Sequence, residues 1–394
     1  MKGRHMNLLS YALNCIYRYK VRTVVILVCL VTSAAVFSSV AFLKDGLVKE
    51  GELSLKYAPD ITVQQIWAGR PTLIETSYVG YIQEMAGTIS VIPRIWGYAN
   101  VGNILLVIMG IDIDNMFFDP KEAFPMEEGS FLSPETPNSV VLGKAVADIL
   151  GVRVGNTLTI LTESVTPIQY QVIGIFNSEA NIYNADMILM NIDDARLFFE
   201  IPENLATDIA VYVWDPQLVN NVARDIGELQ NLRVVTKDII LKAQETTYGA
   251  KTGFFSVLWY IVLISVAITA FNQTVVVGHE SKFEVGLLKA LGFSTSDIIE
   301  IRLMESAILG VIAGSLGITF GIIYDRVFNA PIFRDFMLGW VTLYPNFTLP
   351  IHISASTIFL IYVITILPLL FATVIPSWIN ATVDPDIAMR GARA

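Results

Sequence analysis

Charge is scarce in this chain: 16% of its 394 residues are Asp, Glu, Lys or Arg, against about a quarter in an average soluble domain. With a mean hydropathy of +0.57, too few charges remain to clothe a water-facing surface. Cysteine is nearly absent. Cys15 and Cys29 are the only two, both at or before the first long apolar run, so no disulfide is expected in the segment that follows it. The three histidines, His5, His279 and His352, lie far apart, which argues against a metal site. None falls between residues 44 and 253, so Ser–His–Asp and Cys–His arrangements are excluded there. No GxxxxGK[ST] run occurs, so phosphate binding through that loop is not expected of these residues. The acid pairs Asp112/Asp114 and Asp193/Asp194 read as solvated loop or helix-start carboxylates.

What the chain has in abundance is apolar length. Four runs are long enough to cross about 30 Å of hydrocarbon at 1.5 Å per residue: Thr23–Leu43, Phe254–Val277, Leu303–Tyr324 and Ile353–Ile375. The first is followed by Lys44 and Asp45 rather than by a small-residue cleavage site, which favours a span over a signal peptide. Basic residues set the orientation. Arg18, Lys20 and Arg22 precede span one, Lys282, Lys289 and Arg302 lie between spans two and three, and Arg390 and Arg393 close the sequence. Four spans put all three groups on one side, expected to be cytoplasmic. Residues 1–22 are then a cytoplasmic or interfacial helix, 44–253 and 325–352 are extracytoplasmic, and 376–394 form a cytoplasmic tail. The long outer segment holds roughly twice as many acids as bases, and the whole chain carries a formal net charge of −10. That balance argues against nucleic acid as a partner.

The outer segment mixes helix and strand patterns. PDITVQQIW reads as a strand, IETSYVGYIQEMAG as an amphipathic helix, and TISVIPRIWGYANV and NILLVIMGIDI as strands. Residues 112–190, which begin with a Pro-, Gly- and acid-rich stretch, read as a β-rich lobe inserted into a first lobe of 44–111 and 191–253. The expected fold is a four-span α-helical membrane protein carrying a large two-lobed α+β extracytoplasmic domain.

Between spans two and three, residues 278–302 form a punctuated double helix. Phe283, Leu287, Leu288, Ala290 and Leu291 share one arc of a helical wheel, with Lys282 and Lys289 opposite. Glu284 falls inside the apolar arc, where a carboxylate needs a partner or water. Gly292 is a candidate left-handed stop. Ser294 with Asp297 three residues on is a capping pattern for a second helix that runs into span three. The result is a helix–glycine–helix elbow, either an interfacial anchor or a docking surface for a cytoplasmic motor.

FNQTVVVGHESKFEVGLLKALGFSTSDIIEIRLMESAILGVIAGSLGITFG resembles the FtsX/MacB-type ABC permease signature. The matching positions are Asn272, Glu284, Gly286, Lys289, Ala290, Gly292, Asp297, Ile298, Glu305, Gly310, Gly314, Gly317 and Gly321. The tail PSWINATVDPDIAMRG is similar to the family's ending through Pro376, Asp384, Pro385, Ala388 and Arg390. One departure is Ser281-Lys282-Phe283-Glu284, where the family often has Arg-x-x-Glu. The resemblance implies a MacB-like periplasmic core for the outer domain and ATPase coupling through Lys282, Glu284, Gly286, Lys289, Ala290, Gly292, Ser294 and Asp297. It further implies a cytoplasmic ABC ATPase subunit that binds ATP and Mg, since the ATPase fused in MacB is not in this sequence. It also implies a second copy of the chain or a similar permease, and a periplasmic adaptor or lipoprotein. The chain itself is then not an enzyme, binds no cofactor, and sits in the cytoplasmic (inner) membrane. A mechanotransmission transporter of hydrophobic, lipid-linked or peptidic cargo is the expected function; an FtsX-like regulator of a cell-wall hydrolase and a four-span sensor or scaffold are the alternatives.

Two further patterns concern the spans. Gly310, Gly314, Gly317 and Gly321 fall on one face of span three, the spacing of close helix packing, with packing inside the subunit favoured over a dimer seam. Glu305, three residues after Arg302, reads either as half of a local ion pair or as an interior carboxylate fixing the elbow. Asn272 is expected to hydrogen-bond across helices. No span carries a midplane charge, which speaks against an ion-coupled relay.

Overall fold

The computed structural model describes residues 2–102, 104–162, 164–338 and 350–382. The chain opens with α1 (Lys2–Arg18), and a break at Tyr19 leads into α2 (Lys20–Ser54). Strand β1 (Ile61–Trp67) turns through Ala68 and Gly69, both at positive φ, into β2 (Arg70–Thr72). Next come β3 (Ile74–Glu75), α3 (Tyr78–Gln83), β4 (Thr88–Arg94), β5 (Trp96–Val101) and β6 (Ile104–Ile111). Asp119 accepts a hydrogen bond from Lys121 N at 2.9 Å to cap the short α4 (Pro120–Ala123), whose first residue is a proline, the position where its missing N–H costs nothing. Then follow β7 (Met126–Gly129), β8 (Ser139–Gly143), α5 (Lys144–Leu150), β9 (Thr157–Leu161), β10 (Pro167–Phe176), α6 (Asn181–Asp186), β11 (Met187–Asn191) and α7 (Ile192–Phe198). The outer segment closes with β12 (Leu205–Ala206), β13 (Asp208–Val213), α8 (Val219–Gly227) and β14 (Leu232–Thr236). The rest is helical: α9 (Lys237–Ala290), α10 (Thr295–Phe328), α11 (Pro331–Leu338) and α12 (Ala355–Thr382).

The chain divides into two compact units. The outer unit, Leu47–Thr247 with Leu338–Thr348, contains two main sheets. The first has the order β14-β1-β13-β4, antiparallel throughout, with β2 on the edge of β1. The second has the order β5-β6-β11-β8-β10-β7, with β9 on β10; its β6/β11 and β8/β10 pairs are parallel. Alternation at period two decides what each strand buries. Val91, Ile209 and Val211 of the first sheet join Leu106, Ile108, Val140 and Ile188 of the second in one apolar core.

This sheet membership corrects the expected boundary at residue 112. The stretch TISVIPRIWGYANV, expected as one strand of the first lobe, is two strands, β4 and β5, and β5 and β6 pair with each other while β6 pairs with β11 in the second sheet. In sequence the second sheet therefore runs from Trp96 to Asn191, and its last strand, β11, lies inside the sheet between β6 and β8. The physical reason is local: Ile95 alone separates β4 from β5, and its carbonyl accepts Gly110 N at 2.8 Å, which commits the chain to β6. Strand periodicity reveals a strand, not its neighbour.

The membrane unit comprises Met1–Gly46, Tyr248–Met337 and Leu349–Ala394. Among the described residues, four helices are long and apolar enough to cross a membrane: Thr23–Ser54, Lys237–Ser265, Thr295–Phe328 and Ala355–Ile379. They contain or overlap the four runs read from the sequence. Three edges differ. The expected loop 325–352 begins as helix, because α10 continues to Phe328 and stops only at Asn329, at φ 55; α11 follows, and 339–349 lie outside the described residues. The expected tail begins inside α12, which continues to Thr382, while 383–394, with Asp384, Pro385, Ala388, Arg390 and Arg393, lie outside the described residues. Finally, no turn separates span two from the first elbow helix; both belong to α9, 54 residues long.

Polar groups inside this unit pair across helices. Trp259 Nε1 donates to Ser33 O at 3.0 Å, Ser306 and Thr373 share a hydrogen bond of 2.9 Å, and Ser315 bonds Tyr362 at 2.8 Å. Asp45 accepts from Ser354 and Thr357 at the start of α12. Ser39 donates to Asp325 at 2.5 Å. In hydrocarbon such bonds replace water that is not there.

Candidate functional site

The elbow between α9 and α10 is built from strong local signals. Gly292 adopts φ +91, open to glycine and strained for other residues. The preceding turn is closed by Gly292 N donating to Lys289 O and Phe293 N donating to Leu288 O, each at 3.0 Å. Ser294 then caps α10. Its Oγ accepts from Asp297 N at 3.2 Å while its own N–H donates to Asp297 Oδ2 at 2.9 Å, a reciprocal capping box with Asp at the third position. Its Oγ also donates to Asp297 Oδ2 at 2.7 Å, and Asp297 is only 5% exposed. A carboxylate here also faces the positive end of the helix dipole.

Two apolar clusters brace this corner from within the chain. Val285 of α9 packs with Ile298 and Ile299 of α10, and Leu8 and Ala12 of α1 pack with Phe293, Ile301 and Met304. The N-terminal helix is thus a buttress for the elbow, a contact that nothing in its sequence announces.

Part of the arc singled out on the helical wheel is left uncovered by the chain, while Leu288 is half-buried. Leu287 is 47% exposed and Leu291 69%; Ala290 is exposed and Lys289 half-buried, whereas Gly286 is buried beside Val285. The wheel identifies an apolar face; it cannot say whether the same chain covers it. The side chains of Asn272, Lys282, Phe283 and Glu284 lie outside the described residues, so the environment of Glu284 and the expected bonds of Asn272 are among them.

Just inside span three, Arg302 Nη1 donates to Glu305 Oε2 at 2.7 Å, with Glu305 6% exposed. The carboxylate is buried and forms the local ion pair of the first reading. The Ser306–Thr373 bond lies next to it in a small cleft shared with Thr23 and Ser377.

The glycine face of α10 is filled by this chain. A Cβ on Gly310 would meet Ile366 at 2.8 Å, and one on Gly314 the Tyr362 ring at 2.9 Å, both on α12. On Gly317 it would meet the Ala34 Cβ at 2.4 Å, and on Gly321 Ala35 O and Ser38 Cβ at 3.0 Å, both on α2. Each glycine therefore sets the approach of a neighbouring span. Among the described residues, no group of three or more His, Cys, Asp or Glu side chains is placed to hold a metal ion.

Comparison with known proteins matches the two parts of the chain separately. A MacB-like periplasmic core domain matches residues 23–229, more than half the sequence, and an FtsX-like permease C-terminal region matches 255–385. An uncharacterized ABC transporter permease of Methanocaldococcus jannaschii is 26% identical over 217 residues, 52% of this chain and 53% of that one. The lipoprotein-releasing system transmembrane protein LolC of Neisseria meningitidis is 24% identical over 226 residues, 51% of each. This chain spans about half the length of these curated relatives. Among solved structures, the periplasmic region of MacB from Actinobacillus actinomycetemcomitans aligns with a TM-score of 0.33 and 14% identity, over 48% of this chain and 95% of that one. With the core domain matched over more than half its length and the FtsX-like region following it, the chain belongs to the FtsX/MacB-type ABC transporter permeases.

Proposed function

We propose that this chain is the permease subunit of a transporter driven by a separate cytoplasmic ABC ATPase that binds ATP and Mg, and that the elbow is where the two meet. The observation that supports this most directly is the exposed pair Leu287 and Leu291 on a corner that is capped at Ser294 and braced at Val285 and Phe293. A rigid corner with one apolar face open suits a motor contact: aromatic and aliphatic side chains anchored on a stiff support dominate most interfaces. The elbow and the N and C termini then face the cytoplasm of the inner membrane, as the basic residues beside the spans suggest, and residues 44–253 lie outside.

In this mechanism the ATPase binds two states of the permease with different affinity, and that difference shifts the population between them. Helix α9 is one uninterrupted element from Lys237 to Ala290 and α10 from Thr295 to Phe328, so displacement at residues 285–301 carries along whole helices rather than being absorbed in a loop. Lys289 supplies part of the polar rim of the contact, and the resemblance implies coupling roles for Lys282 and Glu284 as well. The resemblance also suggests a dimer, of this chain or with a similar permease, and a periplasmic adaptor or lipoprotein partner. The relative named for lipoprotein release suggests a lipid-linked or otherwise hydrophobic cargo.

Co-expression with candidate ABC ATPase subunits of the same organism, choosing the one that co-purifies with this chain, tests the reading. Lys289→Glu is expected to lower ATPase recovery per folded molecule of a tagged permease several-fold, the size of a hydrogen-bonded or charged rim contact. Undiminished recovery by both Lys289→Glu and Glu284→Ala contradicts it.

A further inference from the structure

The outer unit contains a cavity of about 220 Å³ on the faces of its two sheets opposite their shared core. Period-two alternation places it. Ile92 and Arg94 of β4, Ala210 and Tyr212 of β13, and Val107, Met109 and Ile111 of β6 point to this side, while Val91, Val211 and Ile108 point to the core. Residues 112–124 and Tyr57–Pro59 cover it. Its wall is rich in Met109, Met116 and Met187 together with aromatic rings, and Phe117 stacks on Tyr212 at 4.5 Å. Methionine and aromatic walls adapt to apolar guests without fixed shape.

One polar group is built into that wall. Arg94 donates to both carboxylate oxygens of Asp208, at 2.7 and 2.8 Å, and Trp96 Nε1 donates to Asp208 at 2.9 Å. Asp208 is 1% exposed. The pair cancels its own charge, and Asp112 at the rim adds a negative one, so the cavity offers no net attraction to an anion. Burial pushes the Tyr183 phenol up to about 12 and raises Tyr212 in the same direction, with Arg94 opposing in each case, so both remain neutral. Tyr183 donates to Ser54 O. Among the described residues the Tyr212 hydroxyl forms no hydrogen bond; it lines the cavity as a donor without an acceptor.

We infer that this cavity is a binding site for a small uncharged acyl ester or amide: an apolar chain in the Met and aromatic wall, its carbonyl accepting from Tyr212. Size sets the scale. A dry cavity of about 150 Å³ holds benzene, so this one holds a chain of roughly eight to ten heavy atoms. An acid of the same length is disfavoured, because its carboxylate would be desolvated near Asp112 while the lining cation Arg94 is already neutralised by Asp208. The site lies wholly within the outer unit and stands or falls independently of ATPase docking.

The full chain in lipid nanodiscs, irradiated with a methyl pentanoate that carries a diazirine on its chain, tests this by peptide mass mapping. Saturable labelling is expected in peptides carrying Met109, Met116 and Met187, competed by methyl pentanoate at lower concentration than by pentanoate. Labelling of the spans by membrane-dissolved probe is the internal control. Ala210→Phe, which fills the cavity, is expected to reduce outer labelling about tenfold with span labelling unchanged. Tyr212→Phe keeps the ring and its stack on Phe117 and is expected to weaken labelling about threefold, the loss of one neutral hydrogen bond. Labelling confined to the spans, equal competition by acid and ester, or an unchanged signal in a folded Ala210→Phe overturns the assignment. Should Ala210→Phe fail to fold, Tyr212→Phe and the ester-against-acid comparison decide.

Discussion

The glycine face of α10 and the leucine face of the elbow are both stripes of like residues on helices joined by one corner, yet they are finished differently. Gly310, Gly314, Gly317 and Gly321 each meet an atom of α2 or α12 at 3.0 Å or closer to an added Cβ; this surface is closed by its own chain. Leu287 and Leu291 stand exposed on a corner braced at Val285 and Phe293; among the described residues this surface is not closed by its own chain. Composition does not separate the two cases, because in lipid a small-residue face is the one that packs and a large apolar face can be left for a partner or the bilayer. What separates them is whether a neighbour is already in place.

The contrast can be broken at either end. Gly317→Leu should give the largest effect, because its first added carbon sits 2.4 Å from the Ala34 Cβ and 3.0 Å from Ala34 backbone. Overpacking of about 1–3 kcal/mol or more is expected, read as a melting temperature lower by several degrees in detergent, with ATPase recovery per folded molecule unchanged. A wild-type melt for both Gly317→Leu and Gly314→Leu would show that α10 is not held this tightly.

Leu291→Asp inverts the pattern. It should leave the melt within about a degree, since an exposed substitution costs under about 0.5 kcal/mol, and lower ATPase recovery about tenfold, the loss of one interface anchor. Ser294→Ala is the smallest change and sharpens the link between the two faces. It removes the cap that fixes the start of α10, at a cost of about 1 kcal/mol, and should reduce both stability and recovery modestly. A loss of recovery with no loss of stability would instead place Ser294 in the contact itself.

Much of this was legible in the residues, for identifiable reasons. Spans announce themselves by length and apolarity because the bilayer allows little else. Gly292 and the Ser294/Asp297 pair are readable because caps are local, three or four residues wide. The glycine spacing gave the packing face of α10, though not that Gly310 and Gly314 meet α12 while Gly317 and Gly321 meet α2. What stayed hidden depends on distant neighbours. The membership of β5 and β6 in the second sheet rests on β11, some eighty residues away; the Ser39–Asp325 bond joins residues 286 apart; and α1 packing against Phe293 and Ile301 leaves no mark on the pattern of either segment. The uncovered state of Leu287 and Leu291 is of this kind too, since a wheel shows which side is apolar and not who occupies it.

The most direct test of the central claim is photo-crosslinking from position 291. With a benzophenone side chain replacing Leu291, in membranes that contain the cognate ATPase, irradiation should yield an adduct with the mass of this chain plus the ATPase, and its yield should change when ATP is added. The same side chain at the exposed Val311 of span three should give none. Equal adduct at both positions, or none at 291 while the ATPase still co-purifies, would contradict the elbow as the motor contact.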